Sequence, residues 1–360
     1  MINMKEKNVY EGEVKFKRIL DEKGKAKGKV SIDDNLLKKM YEMMVLTRTY
    51  DEKAIKLQRQ GRMGTYAPVR GQEAVGTGAI HAIMDKDWVL PTYREPQPYF
   101  GKGVPLSKLY LYWMGSEEGM NLPEDSNAFP FVIPIATHLP HAGGIALSLK
   151  RSGEEQVLLA FVGDGGTSEG DFHEGLNFAG VWNLPLVVVI VNNGWAISVP
   201  RSKQSASDTL AQKGLAYGIP SVQVDGNDVL AVYEVVSKAV EEARKGKGPR
   251  LIEALTYRME MHTTSDDPTR YREEEEVSKW QKLDPIDRMR KYLKSKKIWD
   301  KDYEEKIKSD FKEKVSEAVK EAESIEADPK DMFRYVWAEM TDDLGEQMEE
   351  MEALEGGDGE

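Results

Sequence analysis

The chain contains no cysteine. That excludes a disulfide framework, a thiol nucleophile and any cysteine-based zinc site. Long apolar runs are also missing. The longest, residues 184–191, is far too short to span a bilayer. The charged start, MINMKEKNVYEGEVKFKR, lacks the apolar core of a signal peptide. These features point to a soluble cytoplasmic protein. Basic character is lacking too. Of the net charge of −12, nine acids fall in residues 341–360, which hold no Lys or Arg. The body is therefore close to neutral, with no footprint for nucleic acid. The tail itself reads as a frayed, disordered, solvated end. No repeat of 20–50 residues is present, so a solenoid is excluded.

What the chain does have is concentrated in residues 156–198. An apolar run, residues 157–162, ends in the turn Gly163-Asp164-Gly165-Gly166. Phe172, Leu176 and Ala179 then recur at helical spacing. A second, β-branched run over 186–191 ends in Asn192-Asn193. Asp164 and Asn193 are 29 positions apart, the reach of one strand–helix–strand unit. Such a unit joins parallel strands, so both residues fall at carboxyl ends on one sheet edge. Open α/β sheets bind ligands there. Glycine amides in front of a helix favour an anion, and a bare carboxylate would repel one. A divalent cation between them resolves the conflict. Asp, Asn and a backbone carbonyl, completed by phosphate oxygens, suit Mg²⁺. A dinucleotide turn would need a third glycine where Ser168 stands. Simple helix capping by Asp164 leaves the paired asparagines unexplained.

The rest of the chain alternates strand-like and helix-like segments. The spacing predicts a helix from residue 36 to Gly61, one over 71–84, a short strand at 88–90 and a loop-rich stretch over 101–130. A small-residue helix covers 137–149. Further strands are predicted at 222–225 and 249–255 around a helix at 229–244. The expected fold is α/β, a doubly wound, mostly parallel sheet with helical N- and C-terminal extensions. Residues 1–35 read as an arm, 36–275 as the main domain and 276–340 as a charged helical extension, before the acidic tail.

GDG followed about thirty residues later by NN resembles the thiamine diphosphate motif. Three more segments extend the likeness: GRMGTYAPVRGQEA (61–74), VLPTYRE (89–95) and YRMEMHTTSDDPTRYR (257–272). With GDGGTSEGDFHEGLNFA and NNGWAIS, they resemble the α subunit of the E1 component of 2-oxo acid dehydrogenase complexes, from about Leu36 to about Trp337. The resemblance implies that Asp164 and Asn193 hold Mg²⁺ by side chains and Trp195 by its carbonyl. Gly163, Gly165 and Gly166 line the diphosphate, which Tyr93 and Arg94 also reach. Taken alone, Arg94 reads as a surface partner of Glu95. His262 matches the family histidine at the cofactor's reactive end, able to shuttle a proton. Ile135 matches the residue that props the cofactor in its bent shape. Arg258, Asp266, Tyr271 and Arg272 would order the histidine loop. Some relatives add a structural K⁺ near Thr137.

Thr65, with Tyr66 beside it in the expected substrate pocket, stands where relatives commonly carry an aromatic residue. A smaller residue implies a larger pocket, which leans toward a branched 2-oxo acid, as does the MHTTSDD loop. Val191 stands where some relatives have a phosphate-binding Arg, so Arg94 or another group must supply that charge. The family reaction is oxidative decarboxylation with acyl transfer to the lipoyl group of an E2 partner. Its catalytic glutamate lies on a β subunit, which implies an α₂β₂ assembly. Another thiamine enzyme, such as acetoin dehydrogenase, or a non-catalytic thiamine diphosphate scaffold, are the competing readings.

Overall fold

Six parallel strands form the central sheet in the computed structural model, which describes residues 10–326 and 328–357. In chain order the strands are β1 (Lys15–Lys17), β2 (Trp88–Leu90), β3 (Leu158–Gly163), β4 (Leu186–Asn192), the short β5 (Trp195–Ala196) and β6 (Val199–Pro200), β7 (Ser221–Asp225) and β8 (Arg250–Leu255). The sheet order is β1-β7-β8-β4-β3-β2, and β5 and β6 form a separate antiparallel hairpin.

Both faces of the sheet are covered, which explains the continuous apolar strands. Leu159 and Phe161 of β3 and Val187, Val189 and Val191 of β4 point to one face. There they meet Val75 and Ala79 of the helix Glu73–Ile80 and Val232, Val236 and Val240 of the helix Val229–Arg244. The alternate residues Leu158, Ala160, Val162, Leu186, Val188 and Ile190 point to the other face. They pack on the helices His138–Ser152 and Gly170–Val181. Each fully buried Val or Leu contributes about 1.5–3 kcal/mol over an exposed one, so this register is strongly held.

The long helix Asp34–Arg59 is capped by the Asp33 carboxylate, which accepts from the amides of Asn35 and Leu36. It packs against Pro285–Ser295 and Lys301–Glu323 through Tyr41, Met289 and Ile307.

Several segments differ from expectation. The described part of the N-terminal arm is an integral element, because β1 pairs with β7 along the sheet edge. The amides of Ile19 and Leu20 donate to the Asp228 carboxylate at 2.7 and 2.6 Å, and Leu20 is fully buried. Residues 101–130 contain a helix, Leu106–Trp113, whose Leu106, Leu109 and Tyr110 are buried. The acidic tail forms the helix Asp342–Gly357. Leu344, Met348 and Met351 recur at helical spacing, and Asp342 and Asp343 complement the helix dipole. Residues 1–9 and 358–360, parts of the expected arm and tail, lie outside the described residues.

Candidate active site

Topology brings the segments together. β2, β3, β4 and β8 are parallel neighbours, with Gly163 opposite Val191 and Asn192 opposite Leu255. The chain therefore leaves all four at one edge, as residues 91–95, Asp164, Asn193 and the 256–272 loop. They surround a cavity of about 460 Å³. Of the residues singled out above, Thr65, Tyr93, Arg94, Ile135, Gly163, Asp164, Gly165, Gly166, Asn193, Trp195 and His262 line it.

Asp164 is 1% exposed, and its Oδ2 has no hydrogen-bond partner. Burial pushes its carboxyl up to about 6, against the opposing pull of the Asp164 and Asn193 backbone N–H groups, Arg258 and Arg94. The turn that follows is held from outside the cavity. Gln204 Nε2 donates to the carbonyls of Asp164 and Gly165, each at 3.0 Å, and Thr167 Oγ1 donates to the Asp164 carbonyl at 2.8 Å. A Cβ on Gly166 would sit 2.6 Å from Val162 Cγ2, so the backbone comes close here only as glycine.

The two asparagines have separate tasks. Asn192 donates to Glu253 at 2.7 Å and accepts from the Gly194 amide at 3.2 Å, which ties β4 to β8 and sets the turn. Asn193 faces the cavity, donating to Gln72 at 3.0 Å and accepting from the Trp195 amide at 3.2 Å. The Trp195 ring packs with Tyr257 and Met259, and its Nε1 donates to Glu276 at 3.2 Å.

Arg94 is buried and does not pair with Glu95. Its guanidinium donates to the Pro68 carbonyl at 2.6 Å and reaches the carbonyl and Nδ1 of His262 at 2.9 and 3.0 Å. Glu95 instead accepts from the Thr92 amide and hydroxyl at 3.0 and 2.5 Å. Arg258 also donates to His262 Nδ1, at 2.9 Å. A ring nitrogen that accepts from two guanidiniums carries no proton, so the proton of the neutral imidazole lies on Nε2. Burial, then Arg94 and Arg258, lower His262 from 6.5 to about 3. The imidazole is therefore neutral.

The remaining loop residues form one network. Asp266 accepts from the His262 amide at 2.8 Å and from the Tyr271 hydroxyl, Arg258 reaches Tyr271 at 3.0 Å, and Arg272 donates to the carbonyls of Arg258 and Met259. Two non-glycine residues on the cavity wall, Ala136 and Ile197, hold φ of 63° and 54°. Such conformations cost about 1–3 kcal/mol each and cluster at functional sites.

Tyr66 does not belong to the cavity. It is 1% exposed, and its hydroxyl donates to the buried Asp51 at 2.8 Å. The alternation of the 65–67 segment turns it into the core, and Trp113 lines the cavity beside Thr65 instead. Ile135 is half exposed, with its side chain 3.3 Å from a Cβ built on Gly166. Thr137 is partly buried at the start of the helix His138–Ser152. Gln72, Trp113 and Gln204 went unassigned from sequence, since an amide or indole carries no charge pattern to mark it.

The model of the dehydrogenase E1 component family matches residues 41–330. The chain belongs to this family. A 3-methyl-2-oxobutanoate dehydrogenase subunit alpha from Mycobacterium tuberculosis is 44% identical over 325 residues, covering 89% of this chain and 88% of the relative. A pyruvate dehydrogenase E1 component subunit alpha from Staphylococcus aureus is 42% identical over 337 residues, covering 92% and 91%. One from Staphylococcus epidermidis is 41% identical over 347 residues, covering 95% and 94%. Every segment of the E1 cavity described above falls inside the matched region.

Proposed function

We propose that this chain is the α subunit of a 2-oxo acid dehydrogenase E1 component, holding thiamine diphosphate through Mg²⁺ at Asp164, Asn193 and the Trp195 carbonyl. The observation that carries this is the bare, buried Oδ2 of Asp164. A buried carboxylate without a partner is unfavourable unless a cation joins it. Among the described residues no three His, Cys, Asp or Glu converge as a metal cage. A cation here therefore depends on amide and carbonyl oxygens and on a ligand's own oxygens, which fits a metal diphosphate. The helices on both sheet faces support the doubly wound arrangement expected for this cofactor, with helical extensions beyond it.

When bound, thiamine diphosphate supplies the nucleophilic carbon and the electron sink for decarboxylating a 2-oxo acid. The chain's own residues position and exclude. The amides of Gly165 and Gly166, with Tyr93 and Arg94, would hold the diphosphate, and Gly163 would leave room beside them. Ile135 and its strained neighbour Ala136 wall the middle of the cavity. His262, neutral with its proton on Nε2, is a hydrogen-bond donor that carries no charge of its own. Arg258, Asp266, Tyr271 and Arg272 hold that loop in place. Thr137 would lend its hydroxyl to a K⁺ ion. With Thr65 at the mouth, a branched 2-oxo acid is the favoured substrate over pyruvate. A β subunit completes the active site in an α₂β₂ assembly, and an E2 lipoyl group takes the acyl product.

The test is turnover by this chain purified with its β subunit, using an artificial electron acceptor and pyruvate or branched 2-oxo acids. Oxidation that requires both chains, thiamine diphosphate and Mg²⁺ is expected. No turnover on any 2-oxo acid, despite cofactor binding, would favour another thiamine reaction.

A further inference from the structure

We infer that Gln72 is a further binding residue of this cavity, its Nε2 donating to a diphosphate oxygen while its Oε1 sets the orientation of Asn193. The inference rests on the cofactor reading above and goes beyond its residue set.

Both amide orientations follow from one backbone proton. The Trp195 N–H can only donate, and it lies 3.2 Å from one terminal atom of the Asn193 side chain. That atom is therefore the oxygen, Oδ1. Nδ2 is then turned toward Gln72, where it meets a terminal atom at 3.0 Å. A donor needs an acceptor, so that atom is Oε1. Gln72 Nε2 is left over. It is buried, it has no hydrogen-bond partner, and Gln72 lines the cavity that contains Asp164. Reversing either amide would set two donors against each other.

Among the residues that line the cavity, an unsatisfied acceptor, Asp164 Oδ2, thus accompanies an unsatisfied donor, Gln72 Nε2; the third such atom, His138 Nδ1, is an acceptor, because Nε2 of that ring donates to the Phe161 carbonyl. An unmade buried hydrogen bond is costly, so a native structure keeps such groups for a partner. A cation answers the first and an anionic oxygen answers the second. A metal-bound diphosphate presents both.

Gln72 cannot easily move away. Its backbone N–H donates to the Val69 carbonyl at 3.0 Å, and the Gly71 backbone N–H donates to the Glu73 carboxylate at 3.0 Å. The Gly71 carbonyl accepts from Thr256 Oγ1 at 2.9 Å. Gly71 itself has φ 99°, and a Cβ there would lie 2.3 Å from the Tyr257 carbonyl. Gln72 is only 4% exposed, and its side chain makes no helix-capping bond for Glu73–Ile80. Its burial serves the cavity rather than the helix.

The experiment uses the assembled α–β protein, with thiamine diphosphate titrated at saturating Mg²⁺ and followed by quenching of tryptophan fluorescence. Gln72→Met removes both polar ends. Gln72→Glu keeps the acceptor for Asn193 but has no donor for an oxygen. Each variant is expected to weaken thiamine diphosphate binding about tenfold, the scale of one buried hydrogen bond. Mg²⁺ titrated alone should bind Gln72→Glu no more weakly than the unaltered protein. If Gln72→Glu binds the cofactor as the unaltered protein does, the donor role is overturned. If its loss of cofactor affinity is matched by an equal loss of Mg²⁺ affinity, the substitution acts through Asn193 and the cation, and the diphosphate assignment is overturned. Should the unaltered complex itself fail to bind thiamine diphosphate with Mg²⁺, the cofactor reading falls, and this inference with it. Gln72→Glu is close to isosteric, so it decides the matter even if Gln72→Met does not fold.

Discussion

A guanidinium nitrogen of Arg94 lies 3.0 Å from Nδ1 of His262, and the same arginine reaches the His262 carbonyl at 2.9 Å. An arginine four residues past a short edge strand thus fixes both the ring and the backbone of a histidine 168 positions away. Because Arg258 approaches the same nitrogen, the histidine cannot accept a proton there.

The first prediction concerns charge. His262 is lowered from 6.5 to about 3, first by burial and then by Arg94 and Arg258. Between these two values the unfolded chain binds a proton that the folded chain refuses. The contribution of this group is therefore fully present above the unfolded value and is lost as pH falls toward 3. NMR titration should show His262 neutral throughout about pH 5–8. Arg258→Met should raise its pKa. A His262 titration near 6.5 in the unaltered protein would sink the two-arginine account.

Asp164 behaves in the opposite sense. Its carboxyl is raised by burial to about 6, so the folded protein without cation holds a proton that the unfolded chain has released. That stabilisation is present at low pH and lost as pH rises through about 6. Asp164→Asn removes the buried charge. It should stabilise the cation-free protein at pH 7 by roughly 2 kcal/mol while abolishing Mg²⁺-dependent cofactor binding. Denaturant melts and cofactor titrations check the two halves. Retained cofactor binding in the variant would remove Asp164 from the metal site.

Asp51 clasps the segment that carries Thr65, Pro68 and Gln72. Its oxygens accept from the Tyr66 hydroxyl and the Val69 amide, both at 2.8 Å, and from the Arg70 amide at 3.1 Å. Asp51→Ala strands all three donors and should cost about 3 kcal/mol in urea denaturation. Tyr66→Phe loses one bond and should cost about 1 kcal/mol. Its KM for every 2-oxo acid should stay unchanged, because the ring faces the core. A shifted substrate ranking in Tyr66→Phe would return that residue to the pocket.

Thr65 is an exposed group at the cavity mouth, its hydroxyl 2.6 Å from that of Ser265 and Trp113 on the same wall. Thr65→Phe should narrow the pocket. The ratio of kcat/KM for pyruvate over 3-methyl-2-oxobutanoate is expected to rise about tenfold, the range open to steric discrimination in an apolar pocket. An unchanged ratio would show that the β subunit sets specificity.

The sequence by itself determined the cavity's main parts. The continuous apolar runs at residues 157–162 and 186–191, the helical spacing of Phe172, Leu176 and Ala179, and the 29-residue gap demanded parallel strands with Asp164 and Asn193 on one edge. Those are local patterns, and the right-handed crossover rule converts them into proximity. The E1 likeness was legible for the same reason, since its segments are contiguous strings.

What only the tertiary structure decided depends on contacts remote in sequence. Arg94 on Pro68 and His262, Gln72 on Asn193, and Asp51 under Tyr66 join residues whose neighbours in the chain reveal nothing of the partner. The strand Lys15–Lys17 is a short polar segment with a weak propensity signal. The strand forms because β7 offers an unpaired sheet edge and Asp228 accepts two arm amides. The neutrality of His262 is the clearest case. Residue type allows either charge, and burial, joined by the convergence of two guanidiniums on one nitrogen, chooses between them.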